Sequence, residues 1–333
     1  MRAVVITRHG PPEVLEVRDV PPPDRPLGGQ VAVDVRAAGI NFADTLARMG
    51  LYQDAPKPPC VVGYEVAGEV AAVGPGVEGI RVGDRVAAGT RFGGYAERVV
   101  VKATDVIPLP DRLSFEEATA VPVNYVTAWA GLLRYGALRR GERVLIHAAA
   151  GGVGTAATQI AKREGAEVHG TASPGKHEAI RANGVDHAID YTRAGWERDL
   201  PKFDLVMDAI GGRSFRTSYD LLRPGGRLVC FGASSVAQGE RRNVVAALRT
   251  VVRMPRFKLI KQMSESKAVI GLNMLRLWDD KGSLDEATDP IREMLEDGTI
   301  RPLVAQTFPF ERAPDAHRLI AERGNVGKVV LVP

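Results

Sequence analysis

The rhythm of hydrophobic and polar positions changes once along this chain. Up to about residue 110, apolar residues come in short β-rich runs, Val14–Val17, Val31–Ala37, Tyr64–Val73, Asp84–Ala88 and Tyr95–Val101, separated by Gly and Pro. Short strands spaced by turn formers predict an irregular β-barrel. From Tyr125 onward strands alternate with helical stretches, giving strands 143–147, 167–172, 186–190, 203–208 and 227–232. That alternation predicts a doubly wound parallel sheet with helices on both faces. After about Arg301 the pattern returns to strands, Leu303–Phe308 and Lys328–Val332, and this tail is expected to rejoin the barrel. The expected fold is α/β in two domains, a barrel of 1–122 with 300–333 and a parallel-sheet domain of 123–299.

One strand-to-helix junction carries chemistry. Arg143–His147 runs into Ala148-Ala149-Ala150-Gly151-Gly152-Val153-Gly154 and then into a helix that stops at Gly165. Ala149, Gly151 and Gly154 occupy the three slots of a dinucleotide fingerprint, with Ala149 in the first glycine slot. Gly151 admits a pyrophosphate, Gly154 lets the helix pack on the strand, and Gly152, Val153 and Gly154 open a helix whose free N–H groups face the anion. A second strand, Glu167–Ala172, follows at βαβ spacing. Its end discriminates between cofactors. An NAD site places an acid there to hold the ribose hydroxyls, whereas this chain has Ala172 and Ser173, with Lys176 one turn on. NADPH is therefore the expected cofactor. Ser173 is expected both to cap the next helix, with Pro174 first in it, and to meet the 2′-phosphate. Tyr191, after the third strand, is a candidate to stack or hydrogen-bond nearby.

Composition narrows the class. The 333 residues are 45% hydrophobic and 25% charged with net charge +4, ordinary values for a globular protein, without the concentrated basic and aromatic surface of a nucleic-acid reader. Cys60 and Cys230, far apart in apolar surroundings, read as reduced thiols. There is no signal-peptide pattern and no run of about 20 apolar residues, so a cytoplasmic location is expected.

Gly39-Ile-Asn41-Phe-Ala-Asp44, Gly63-Tyr64-Glu65-Val-Ala-Gly68, Gly83-Asp-Arg-Val86, the 147–154 turn and Asn325-Val-Gly-Lys328-Val329 together resemble the medium-chain dehydrogenase/reductase superfamily. Within it the chain resembles the quinone oxidoreductases and, through Gly170–Ser173, Lys176–Glu178 and Ile189–Tyr191, the vesicle amine transport protein branch. The resemblance implies a GroES-like barrel plus a Rossmann domain, NADPH, and a substrate cleft between them. It puts Asn41 near nicotinamide and substrate, Tyr52 and Tyr64 on the cleft wall as candidate catalytic groups, and Thr127, Phe231, Gly232 and Asn325 near the nicotinamide or phosphates. Asn41 also suits the N-cap of a helix Phe42–Met49, with Asp44 in its first turn and Gly50 at its stop. Zinc relatives carry Cys near Asn41, His at the Tyr64 position and a four-cysteine lobe after Val86. None of these is present, so no metal is expected.

These features imply zinc-independent hydride transfer from NADPH to a quinone or α,β-unsaturated carbonyl. The competing class is a nucleotide-binding adaptor or lipid handler. It rests on 239–262, where Arg241, Arg242, Arg249, Arg253, Arg256, Lys258 and Lys261 accompany Val244, Val245, Leu248, Val251 and Val252 at helical spacing. This segment is read either as a lid or as a surface for anionic membrane. An apolar edge strand in Lys267–Met274 predicts a homodimer.

Overall fold

The β-branched runs of the first hundred residues pair antiparallel and turn their valines inward. The computed structural model describes residues 1–236, 239, 250, 252–283 and 285–333, which fall into two compact units. The first contains Met1–Val126 and Leu275–Pro333. Its strands are β1 (Arg2–Ile6), β2 (Leu15–Asp19), β3 (Gln30–Ile40), β4 (Cys60–Val61), β5 (Glu65–Val73), β6 (Arg85–Gly89), β7 (Arg98–Lys102) and β8 (Val106–Pro108), completed by β15 (Val304–Pro309) and β16 (Lys328–Val332). Strand β3 pairs antiparallel with β5, β7 and β16, and its register shifts at Ala32/Val33 and Val35/Ala37. Such bulges bend a strand, and the bend wraps the sheet around Val31, Val33, Val66, Val70, Val86 and Tyr95.

The domain boundary differs from the one read in the sequence, which gave 123–299 to the parallel sheet. Residues from Leu275 to 299 belong to the first unit. Side chains anchor them there: Arg276 pairs with Asp54, Arg91 with Asp279, and Lys102 Nζ donates to Gly282 O. The helix Asp285–Glu296 buries Ala287, Ile291, Met294 and Leu295 and packs on β8.

The second unit starts at Thr127 and contains β9 (Arg143–Ile146), β10 (Glu167–Ala172), β11 (His187–Asp190), β12 (Phe203–Asp208), β13 (Leu222–Cys230) and β14 (Ala268–Gly271). All pair parallel in the order β11-β10-β9-β12-β13-β14. The order reverses between β9 and β12, the switch point at which doubly wound sheets bind ligands. Strand β13 begins earlier than its apolar run because Leu222 already pairs with Phe203. The next pair is Leu205 with Arg227, and the intervening residues bulge outward. Arg227 is spent entirely on its surroundings. Nε donates to Gly136 O, Nη1 to Asp204 O and Glu142 Oε1, and Nη2 to Ala137 O and Glu142 Oε2, at 2.7 to 3.1 Å.

Of the basic segment, Arg241, Arg242, Val244, Val245, Leu248, Arg249 and Val251 lie outside the described residues. Its described part ends in a helix, Leu259–Glu265, with Leu259, Ile260 and Met263 exposed. Among the described residues, no helix is long and apolar enough to cross a membrane.

Candidate functional site

The turn after β9 is shaped by close backbone approach. Ala148 takes a left-handed conformation (φ 52°), Ala149 N donates to Thr171 O, and Gly151 N donates back to Ala148 O at 2.8 Å. The left-handed residue of the turn is Ala148, immediately before Ala149 in the first slot of the fingerprint. Ala149 is fully buried, its methyl filling the space that Gly170 leaves open. The helix Gly152–Arg163 starts behind Gly151 with no side-chain cap, so its first N–H groups have no partner within the helix. A Cβ on Gly154 would sit 2.2 Å from Ala148 O and 2.7 Å from Ala149 Cα; only glycine lets the helix lie this close. An uncapped helix start on a glycine turn at the switch point fits a pyrophosphate.

The remaining residues predicted for the second unit gather at the same strand ends. Ser173 and Lys176 follow β10, Tyr191 follows β11, and Phe231 and Gly232 follow β13. Ser173 occupies the cap position before a 3-10 turn, Pro174–Lys176, but its side chain makes no cap bond. Its carbonyl instead accepts from Lys176 N. The capping role expected of its hydroxyl is therefore absent. Thr127 lies buried in the helical turn Val126–Trp129.

Behind the turn runs a buried polar chain that sequence reasoning missed. Ala148 N donates to Thr171 Oγ1, which also meets His147 Nδ1, and His147 Nε2 meets Ser218 Oγ at 3.0 Å. Ser218 and Ser214 donate to Asp208 Oδ2, while Ile210 N and Gly211 N donate to Oδ1. Burial lowers the His147 pKa against the opposing charge of Asp208, which favours the neutral ring. Polar residues at the ends of mostly apolar strands, His147 after β9 and Asp208 closing β12, were the available signal.

In the first unit, Glu65 and Lys328 form a buried ion pair across Gly39, whose missing side chain leaves the space they meet in. Asn41 completes the group, its Nδ2 donating to Glu65 Oε1 and its Oδ1 accepting from Lys328 Nζ, each at 2.8 Å. Glu65 Oε2 accepts from Val123 N at 2.7 Å. The Asn41 side chain is therefore held between Glu65 and Lys328, and Asn41 is also the N-cap of the helix Phe42–Arg48, where Asp44 Oδ2 accepts from Asn41 N in a capping box. Tyr64 is buried, tilted against Phe92 at 5.1 Å and edge-on to Tyr52 at 6.3 Å, and among the described residues its hydroxyl has no hydrogen-bond partner. Burial raises the pKa of both tyrosines, so they are donors, not bases. Asn325 Nδ2 donates to Gly327 O in the turn before β16.

Two further buried groups of this unit titrate in opposite senses. Burial lifts the Asp44 carboxyl to about 7 from its ordinary 3.8, against hydrogen bonds from Asn41 N and Gly63 N. Its contribution to stability is present at low pH and lost as pH rises from about 4 to 7. His317, fully buried with both ring nitrogens unpartnered among the described residues, is pushed down by burial and by Arg48 to about 3 from 6.5. Its contribution is present above pH 6.5 and lost as pH falls toward 3. Between pH 4 and 6.5 the two slopes oppose one another. His317→Leu is therefore expected to become more stable on acidification across this window, by about 1.4 kcal/mol per pH unit relative to the parent. Urea unfolding at both ends of the window checks this, and parallel profiles for the two proteins would refute it.

An antiparallel barrel with a buried Asn–Glu–Lys group and a parallel sheet with a glycine turn at its switch point define a dehydrogenase/reductase of the GroES-like plus Rossmann build. Residues 28–111 match the alcohol dehydrogenase GroES-like domain, and residues 183–331 match a zinc-binding dehydrogenase family. A synaptic vesicle membrane protein VAT-1 homolog from Rattus norvegicus is 38% identical over all of this chain and 84% of its own length. The crystal structure of the human VAT-1 homolog-like protein superposes with TM-score 0.86 at 31% identity, covering 100% of this chain and 98% of that one. The Thermus thermophilus quinone oxidoreductase, solved also as its complex with NADPH, gives 0.81 at 36% identity and full coverage of both chains. The chain belongs to the medium-chain dehydrogenase/reductase superfamily, among the VAT-1 homologues.

One matched description names zinc, and the donor set here does not fit it. Asn41 stands at a position where a thiolate is needed, and its oxygen already accepts from the Lys328 ammonium. Tyr64 at the other offers a phenol kept protonated by burial. A fixed ammonium in that place repels a divalent ion.

Proposed function

We propose that this protein is a zinc-independent, NADPH-dependent reductase of quinones or α,β-unsaturated carbonyl compounds. The observation that carries the reading is the uncapped helix start at Gly151–Gly154 beside a strand end without an acid, Ala172-Ser173, and followed by Lys176. A carboxylate there would repel a 2′-phosphate, and Lys176 attracts it. Bound NADPH supplies hydride to the electron-poor carbon. The first unit's share is polar orientation: the Asn41 amide is held by Glu65 and Lys328, and Tyr64 lends its ring to the wall beside it. Solvent returns the proton. The aromatic wall of Tyr52, Tyr64 and Phe92 suits a flat conjugated acceptor. That the Thermus thermophilus relative is a quinone oxidoreductase supports this choice of substrate class.

Lys176→Ala is expected to remove most of a preference for NADPH over NADH. A charge-assisted phosphate contact is worth about 1.5–3 kcal/mol, roughly tenfold to a hundredfold in affinity. Titration calorimetry with both nucleotides measures this; equal affinities in the parent protein would contradict the cofactor assignment. The activity itself is tested by following NADPH oxidation with quinones, enones, enoyl thioesters and simple aldehydes. Turnover confined to aldehydes would overturn the conjugated-acceptor reading.

The second reading, an adaptor at an anionic membrane, is favoured by one observation. Leu259, Ile260 and Met263 are 70–82% exposed beside Arg256, Lys258 and Lys261. Absence of turnover with tight binding to anionic liposomes would establish it. The proposal further includes a cytoplasmic location and a homodimer formed through the edge of β14, which among the described residues has a partner strand on one side alone. A monomeric mass by light scattering would exclude that dimer.

A further inference from the structure

The amino-terminal ends of β10 and β11 bring three metal-binding side chains together. These strands pair parallel with His169 opposite His187, and Glu167, two residues before His169, shares its face of the sheet. Glu167 Oε1 lies 3.0 Å from His169 Nε2 and 3.1 Å from His187 Nε2. The imidazoles stack with centroids 4.2 Å apart, and all three donor atoms fall within 4.8 Å of one another. We propose that Glu167, His169 and His187 form a site for a divalent transition metal, zinc in the first instance.

The surroundings divide the work suitably. Arg143 Nε holds Glu167 Oε2 at 3.0 Å, which fixes the carboxylate and leaves Oε1 for the ion. His169 is buried and set edge-on against Phe203 at 4.9 Å, so it is a fixed ligand. His187 is exposed, on the edge strand of the sheet, and is the ligand that adjusts. Metal–ligand bonds of about 2.0–2.1 Å at tetrahedral angles separate ligand atoms by about 3.3 Å. The two Glu–His separations already fall within a few tenths of an ångström of this value, and the two imidazole nitrogens, within 4.8 Å of each other, are brought to it by movement of His187. Two imidazoles and one carboxylate select Zn²⁺, Co²⁺, Ni²⁺ or Cu²⁺ over Mg²⁺ and Ca²⁺, which prefer oxygen. Three protein ligands leave the fourth position to water. Among the described residues His169 Nδ1 has no hydrogen-bond partner, whereas a metal-bound imidazole usually donates its other N–H to a carbonyl or carboxylate. The missing support weakens affinity by about 10- to 100-fold relative to a fully supported site, and the ion is exchangeable. The site lies at the opposite strand ends from Ala172 and Asp190, so it is independent of the nucleotide turn.

Calorimetric titration of chelator-treated protein with zinc chloride, and with cobalt chloride followed by visible absorption, tests the proposal. The expected result is one ion per chain, a raised Tm with zinc, and a cobalt spectrum of four-coordinate intensity. His187→Ala and Glu167→Gln should each weaken zinc at least tenfold, while His187→Ala leaves the metal-free Tm and NADPH affinity unchanged. Absence of heat and of any Tm shift with zinc in large excess would overturn the proposal, as would zinc binding undiminished in His187→Ala.

Discussion

Lys328→Met is expected to destabilise the protein by about 3–5 kcal/mol, the loss typical when one partner of a buried ion pair is removed. Lys328 and Glu65 have side chains 2% and 0% exposed, so the carboxylate left behind has no water to turn to. It retains the N–H of Val123 and the amide of Asn41, neither of which carries a charge. Adding Glu65→Gln should recover most of the loss, because the new amide still accepts from Val123 N and, once the Asn41 amide turns over, its NH₂ donates to Asn41 Oδ1. Urea unfolding of the parent, both single variants and the double variant measures the coupling. A cost under about 1 kcal/mol for Lys328→Met would mean that the pair behaves as a solvated surface bridge, contrary to its burial. In the active protein the double variant should keep its fold but lose kcat more than KM, since it is the orientation of Asn41 that changes.

Gly154→Val should all but abolish nucleotide binding. Its Cβ would meet backbone, Ala148 O at 2.2 Å and Ala149 Cα at 2.7 Å, and backbone cannot swing aside as a side chain does. The helix must move off β9 and carry its N–H groups with it, at a cost of about 1–3 kcal/mol or more in packing. A displacement of that kind removes at least two tenfold steps of affinity, about 2.8 kcal/mol. Gly151→Ala is the comparison: its Cβ would lie 3.3 Å from Ala148 O, so the turn itself adjusts and the loss is confined to the approach of the pyrophosphate. Fluorescence titration with NADPH should rank the parent above Gly151→Ala and both far above Gly154→Val. Equal affinities for the two variants would show that nucleotide binding does not depend on the close approach of helix and strand.

Features governed by local periodicity were legible in the sequence. Strands Glu167–Ala172, Phe203–Asp208 and Lys328–Val332 fall at the predicted residues, because each is an apolar run punctuated by glycine, proline or charge. The nucleotide turn was visible for the same reason. What escaped is what depends on contact between distant segments. Lys328 opens an apolar strand and Glu65 opens another, an oddity in each alone, and their meaning emerges when β3 is laid between them with a glycine at the crossing. The His147–Ser218–Asp208 chain likewise joins three elements that no window of sequence contains. Residues 275–299 were misassigned because helical periodicity tells which face is apolar but not which core that face will meet.

The five hydrogen bonds of Arg227 amount to an error check on chain threading. The guanidinium finds all its acceptors, from Gly136, Ala137, Glu142 and Asp204, at one alignment of β13 against β12. Slide β13 by one residue and the apolar strand still finds apolar neighbours, but every side chain changes face and a cation is stranded beneath the sheet. Valines and leucines alone tolerate such slippage. The arginine makes it prohibitive, so a lysine there would keep the charge and lose the proofreading.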